Sequence, residues 1–213
     1  MWKWPLAQAA EIRWWRNYLK NKSPEQYLAW KRSYWLDFLQ KYNIQIAPDA
    51  ICLDAGASIA GIFTVLNTQK VVAIDPLFTQ YETHLSAFFD KNHYKNVVFK
   101  NVSLENLADE GLYEEIFCLN AINHVKNIQL STQKLWNGLK KGGRLFISVD
   151  AHNYLFLKYI FKLLPADILH PQQLDKKNYQ QLFADICQQP ISEPFLIKSQ
   201  RIFSYWLFVI RKT

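Results

Sequence analysis

The segment Ile51-Cys52-Leu53-Asp54-Ala55-Gly56-Ala57-Ser58-Ile59-Ala60-Gly61, followed by an apolar run that closes on Asp75, most restricts what this chain can fold into. A short apolar run, a glycine-containing turn and a helical start, then a second apolar run ending in a carboxylate, read as strand, tight turn, helix and strand. That order is the start of an open parallel α/β sheet, with a nucleoside-type pocket at the carboxyl ends of its first two strands.

The rest of the chain continues the alternation. Strands are expected at Ile51–Asp54, Val71–Asp75, Val97–Lys100, Tyr113–Asn120 and Arg144–Val149, with helices at about 59–66, 79–92 and 128–139 between them. Lys140-Lys141-Gly142-Gly143 reads as the end of the 128–139 helix, with basic residues in the last turn and glycines beyond. Further helical stretches are expected at about 153–164 and, after Pro171, at 172–188. Glu193–Ser199 and Ile202–Ile210 are then separated by only a couple of residues. So short a connection forces an antiparallel hairpin, because a parallel crossover needs a dozen residues or more.

Ahead of the alternation lie two helices. The first is expected from about Trp4 to Tyr18, with Leu6, Ala9, Ala10, Arg13, Trp14 and Leu19 near one stripe. The second carries a start signal of Ser23 as cap, Pro24 at the first helical position and Gln26 three residues after the cap. Its residues Tyr27, Trp30, Tyr34, Trp35, Phe38 and Leu39 repeat at helical spacing. Residues 1–41 hold eight Lys or Arg against Glu11, Glu25 and Asp37, a net of +5 out of +7 for the whole chain of 213 residues. A basic patch of this kind attracts nucleic acid, anionic lipid or an acidic substrate, or is simply a solvated helix face. The expected division is a helical cap over 1–45 and an α/β domain over 46–213.

Half the residues are apolar, which suits a well-buried globular core and excludes a disordered chain. No stretch approaches the roughly 18 uninterrupted apolar residues of a spanning helix. The opening Met1-Trp2-Lys3-Trp4-Pro5 lacks the layout of a secretion signal. Cys52, Cys118 and Cys187 are odd in number and have no metal-ligand spacing, so they read as reduced core thiols of a cytoplasmic protein that holds no metal.

The turn fits two templates. As Gly56-x-Ser58-x-x-Gly61 it approximates the dinucleotide fingerprint, and as Asp54-x-Gly56-x-Ser58-x-Ala60 the Asp-x-Gly-x-Gly-x-Gly turn of S-adenosylmethionine (SAM) binders. A serine at the second glycine crowds a pyrophosphate, and a carboxylate two residues before the first glycine repels one. SAM carries no phosphate and is cationic, so both features favour the second template, as does the closing hairpin. A dinucleotide-dependent oxidoreductase is the alternative, with Tyr154-x-x-x-Lys158 as proton donor; a non-catalytic SAM-fold binding protein is another.

On these residues, together with 116–125, Lys141-Gly142-Gly143-Arg144-Leu145 and the terminal hairpin, the chain resembles a class I SAM-dependent methyltransferase of the small-molecule, type 11/12-like kind over about 50–212. The resemblance implies a doubly wound seven-stranded sheet of order 3-2-1-4-5-7-6 with strand 7 antiparallel. It implies that Asp54, Gly56, Ala57 and Ser58 shape the pocket for the methionine part of SAM, that Asp75 accepts from the ribose hydroxyls, and that Pro76 and Leu77 flank the adenine. Ser103, Leu104 and Glu105 match the stretch near the adenine amine, and Asn120 the strand end facing the methionine part. Transfer to oxygen or nitrogen of a small acceptor is implied, with His124 the first candidate for a general base and His152, then His170, behind it. Trp14, Trp15, Trp30, Tyr34 and Trp35 are candidates for stacking on an aromatic or saccharide-like acceptor, with Lys31 and Arg32 reading an anionic group. Docking of the helices on the sheet, or on a membrane surface, are the other readings of these aromatics. No RNA-recognition motif points to specific nucleic acid, and a monomer or homodimer is expected.

Overall fold

The computed structural model describes residues 3–153 and 174–213, with side chains from residue 8 onward. Its strands form one seven-stranded sheet in the order β3-β2-β1-β4-β5-β7-β6. The expected order is therefore found, with β7 running antiparallel to β5. Contacts divide the chain into two compact units, Met1–Ser103 and Leu104–Thr213.

The first unit opens with helices α1 (Lys3–Leu19) and α2 (Pro24–Lys41). The start of α2 is as expected: Ser23 is extended and its hydroxyl accepts the Gln26 amide, with Pro24 next. Of the expected stripe, Tyr27, Trp35 and Phe38 are buried, whereas Trp30 stays 53% exposed. Among the described side chains of α1, Ile12 and Leu19 are buried, Leu19 as expected, whereas Ala9, Ala10, Arg13 and Trp14 of the expected stripe face outward.

Strands β1 (Ile51–Ala55), β2 (Lys70–Ile74) and β3 (Val97–Lys100) pair in parallel, with Ala55 opposite Ile74 and Ile74 opposite Lys100 at their carboxyl ends. The helix expected at 59–66 is only a 3₁₀ turn, Ile62–Val65. Side chains of α2 take the carbonyls that a longer helix would use. The Trp35 indole donates to the Ala60 carbonyl at 2.9 Å, and the Arg32 guanidinium donates to the Thr64 carbonyl. All four residues of the turn are buried, and Phe63 meets Tyr94 and Phe99 edge-on. The 79–92 helix is likewise shorter, with α3 at Phe78–His84 and a separate 3₁₀ turn at Lys91–His93 that Asp90 caps.

In the second unit β4 (Tyr113–Leu119) pairs in parallel with β5 (Leu139–His152), and α4 (Ile128–Gly138) connects them. The basic pair and glycines after α4 do not end a helix. They lie within β5, where the register jumps from Tyr113–Leu139 to Glu115–Arg144. Gly142, at φ +80°, lets this bulge turn its amide onto the Lys212 carbonyl at 2.7 Å. Helix α5 (Lys176–Cys187) begins at an Asp175 cap. The chain closes with β6 (Phe195–Ser199) and β7 (Phe203–Arg211), the expected antiparallel hairpin. The expected 153–164 helix, Tyr154, Lys158, His170 and Pro171 lie outside the described residues. The three cysteines are buried free thiols.

Gly61 shows how tightly the first turn is built. A Cβ there would sit 2.3 Å from Asp54 Oδ2 and 2.6 Å from the Ala57 carbonyl. Gly61→Ala is therefore expected to lower stability by about 2–3 kcal/mol in urea unfolding, the upper range of overpacking. Gly111→Ala, with nothing within 4 Å of its Cβ but a φ of +56°, should cost only about 1–2 kcal/mol.

Candidate active site

In the first unit the turn after β1 is pinned to the end of β2. The amides of Gly56 and Ala57 both donate to the Ile74 carbonyl, at 2.8 and 3.1 Å. Gly56 takes φ +73°, the left-handed conformation that glycine reaches without penalty. Ser58 also takes a positive φ, +54°, which costs an ordinary L residue roughly 1 kcal/mol.

The Asp75 carboxylate holds this arrangement. Its Oδ2 accepts the Ser58 amide at 2.9 Å and its Oδ1 accepts the Leu77 amide at 2.8 Å. One carboxylate thus ties the β1 turn to the residues that start α3, and each oxygen keeps a further lone pair for a ligand. Asp75 is 6% exposed; burial, and next the facing Glu11 carboxylate of α1, push its pKa up to about 7. Asp54 lies deeper at 3% exposure and accepts the Phe63 amide at 3.0 Å. Burial raises its pKa to about 7 as well, against the pull of Phe63, Lys31 and Ile62.

Three residues around these acids come from the opening helices, Glu11 of α1 and Lys31 and Trp35 of α2, and one, Tyr81, from α3. Glu11 accepts from the Tyr81 hydroxyl at 3.3 Å, and its own pKa is raised by burial. Lys31 lies in the field of Asp54, and its pKa is pushed down to about 8 by burial. Tyr81 and Trp35 are buried beside them. No periodicity in the sequence marks Glu11 or Tyr81, since both matter only through contacts made at long range along the chain. Leu77 is buried at 1% exposure and Pro76 half-buried, both at the start of α3.

In the second unit Asn120 stands just past β4 at φ +56°, a conformation Asn tolerates. Its amide donates to the Ser148 hydroxyl at 2.8 Å, and that hydroxyl meets the Tyr205 hydroxyl at 2.5 Å. Asn123 is buried and donates to the Asp150 carbonyl and the Tyr179 hydroxyl. His124 closes the 3₁₀ turn Ile122–His124 and is half-buried. His152 ends β5, 5% exposed, with its ring 4.4 Å from that of Phe203. Glu105 spends one oxygen on the amides of Lys126 and Asn127, at 2.8 and 3.3 Å. Leu104 is buried, and Ser103 is half-buried at the end of the first unit. Among the described residues no cluster of His, Cys, Asp and Glu is arranged to hold a metal, and no helix is long and apolar enough to cross a membrane.

No family model matches the chain. Among curated proteins it is 30% identical over 119 residues to a ubiquinone biosynthesis O-methyltransferase of Rickettsia typhi, covering 55% of this chain and 47% of that protein. The protein of the same description from Rickettsia conorii is 34% identical over 119 residues, 55% of this chain and 40% of its own. The chain thus spans under half the length of these relatives. Among solved structures, YcgJ of Bacillus subtilis superposes with a TM-score of 0.66 at 14% identity, over 84% of this chain and 98% of that one. The 1,6-didemethyltoxoflavin-N1-methyltransferase of Burkholderia thailandensis, solved with S-adenosylhomocysteine, gives 0.63 at 13% identity, over 96% and 85%. The resemblance read from the sequence and these comparisons agree, and the sheet is that of the methyltransferase fold.

The buried carboxyls make stability depend on pH. A carboxyl whose pKa rises from its ordinary value near 4 to about 7 on folding favours the folded state at acid pH, and this contribution is lost as pH rises through 7. Asp75→Asn removes that dependence at one site, at the pH-independent expense of one acceptor. The stability of Asp75→Asn relative to the native protein, from urea unfolding at matched pH, should therefore increase from pH 5 to pH 8; a constant difference would contradict the assignment.

Proposed function

We propose that this chain is a SAM-dependent methyltransferase that transfers a methyl group to oxygen or nitrogen of a small-molecule acceptor. One observation carries the reading: the Asp75 carboxylate, buried at the end of β2, fixes the Gly56–Ser58 turn while keeping a lone pair on each oxygen. A ribose diol suits that geometry, and the second buried carboxylate, Asp54, suits a cationic ligand that carries no phosphate. A dinucleotide would bring its pyrophosphate to the same turn, against two carboxylates and a serine in the position of a glycine.

Bound SAM supplies an electrophilic methyl group on a sulfonium. The residues of this chain have the tasks of binding, orientation and proton management. Asp54, Gly56, Ala57 and Ser58 take the methionine part, with Asn120. Asp75 takes the ribose, Pro76 and Leu77 the adenine, and Ser103, Leu104 and Glu105 the outer edge of the base. The O-methyltransferase relatives favour a hydroxyl as acceptor. Such a hydroxyl must lose its proton, and His124 is the first candidate to take it, ahead of the more deeply buried His152. We infer that the 1–45 segment is a cap over the acceptor, a reading supported by the exposure of the Trp14 and Trp30 rings. The buried free thiols support a cytoplasmic protein, acting as a monomer or homodimer.

Isothermal titration with SAM and with NAD(H) tests this reading. SAM should bind and NAD(H) should not, and Asp75→Ala should weaken SAM by about 1.5–3 kcal/mol, the range for hydrogen bonds to charged groups. Binding of NAD(H) alone would overturn the proposal. With labelled SAM and a panel of phenolic acceptors, His124→Ala should lower kcat for a hydroxyl acceptor by roughly 10²–10⁴-fold with little change in SAM affinity.

A further inference from the structure

Where α1 passes into α2 the two helices form a groove of about 340 Å³, lined by Tyr18, Asn21, Lys22, Gln26, Tyr27 and Trp30. Sites for small molecules are of this order, about 300–1,000 Å³. The groove stands apart from the buried carboxylates. Tyr18 lies two turns beyond Glu11, about 10 Å along α1, and Gln26 lies about 13 Å before Trp35 along α2. Its walls are aromatic. Tyr27 is buried, and its ring meets Tyr18 edge-on at 6.2 Å and Trp30 at 5.7 Å. Tyr18 and Trp30 keep 38% and 53% of their surface exposed. Trp14 stacks on Tyr18 at 5.0 Å, and the Lys22 ammonium sits 4.5 Å over the same ring, which holds a cation beside the aromatic wall. The polar part of the lining is uncommitted. Ser23 spends its hydroxyl on the Gln26 amide as helix cap, but among the described residues the side-chain amides of Asn21 and Gln26 bond no protein group.

Aromatic walls with free amides among them suit a ligand that is itself two-sided. A pyranose ring has C–H groups of slight positive charge that rest on the negative face of an aromatic ring, and hydroxyls at its edge that exchange hydrogen bonds with amides. A bilayer surface is met by an apolar helix face pressed into the lipid boundary, whereas this site is concave and shares its lining with Asn21 and Gln26. Charge narrows the class further. Residues 1–41 hold eight Lys or Arg against three acids, and Lys22 stands in the groove itself, so a sugar that carries a carboxylate is drawn in ahead of a neutral one. From this juxtaposition we propose that the α1–α2 groove is a binding site for an acidic sugar unit. Trp30 is its stacking platform, Asn21 and Gln26 take the ring hydroxyls, and Lys22 takes the carboxylate. The inference goes beyond the methyltransferase reading: it concerns the groove alone, and holds whether the sugar belongs to the acceptor or to another molecule.

The test titrates the full chain by calorimetry with a panel of uronic acid tetrasaccharides, each beside its methyl-esterified, uncharged form. The native protein should bind at least one acidic form with a Kd of about 1 mM or tighter, and the matching ester about fivefold more weakly, as one exposed ion pair provides. Trp30→Ala should weaken both forms by about tenfold. Lys22→Gln should weaken only the acidic form, down to the level of the ester. Both side chains are exposed, so neither change disturbs the core. If no member of the panel binds at about 10 mM, or if Trp30→Ala keeps native affinity, the site is overturned. An ester bound as tightly as its acid overturns the role of Lys22 and the choice of an acidic sugar. Displacement of the sugar by saturating SAM would locate it in the cofactor pocket and likewise overturn the proposal. So would a chain that sediments with phosphatidylglycerol vesicles but takes up no sugar, which would assign the face to a lipid surface instead.

Discussion

Two carboxylates buried at the carboxyl ends of adjacent parallel strands impose most of what surrounds them. An isolated buried carboxylate costs several kcal/mol of lost hydration, so it must be given hydrogen bonds or a counter-charge, or hold its proton. Asp75 receives two amides, those of Ser58 and Leu77. Asp54 receives the Phe63 amide and sits so close beneath the loop that Gly61 has no room for a side chain. The turn conformation and the start of α3 both follow from satisfying these two groups. Burial outweighs these hydrogen bonds and pushes both carboxyls above the ordinary carboxylate range. A pocket in that condition favours a ligand that brings hydrogen-bond donors and positive charge.

The opening helices belong to the same electrostatic arrangement. Helix α1 contributes an acid, Glu11, that faces Asp75 and raises its proton affinity. Helix α2 contributes a base, Lys31, that favours ionised Asp54. The aromatic residues between them do the mechanical part: Trp35 bonds the loop carbonyl of Ala60, and Tyr27 and Phe38 fill the space beneath α2. Burial and recognition are thus divided between faces. The rings turned inward dock the helices, whereas Trp14 and Trp30 stay about half exposed.

Those parts of the structure that depend on local pattern were legible in the sequence. The strands, the Ser23 cap and the closing hairpin come from runs, caps and connection lengths that few alternatives satisfy, while the order of the strands came from the family resemblance. The positive φ of Gly56 follows from the residue type. What was not legible arises from contacts at long range. The 59–66 segment is apolar enough for a helix, yet Trp35 and Arg32, 25 and 32 residues from their acceptors, take its carbonyls. Lys140–Gly143 has the composition of a helix end, but pairing with Lys212 near the end of the chain makes it a bulge in β5. For the candidate site, the two acids carried by strand ends stood out in the sequence, and both are buried in the structure. Glu11 and Tyr81, carried by helices, did not, since nothing local distinguishes them from solvated or core residues.

Ser58 bears on whether departure from a glycine-rich turn signals a lost function. The serine adopts the left-handed backbone that a glycine would take, so the path of the turn is unchanged and its amide still reaches Asp75. The substitution therefore costs conformational energy of roughly 1 kcal/mol, borne by the fold. It would also restrict the approach of a ligand that needs bare backbone, as a pyrophosphate does, because the added side chain occupies that approach. A phosphate-free nucleoside held through its hydroxyls on Asp75 makes no such demand. The same residue that weakens the match to a glycine pattern thus narrows the choice of ligand to the class that the two buried acids already favour.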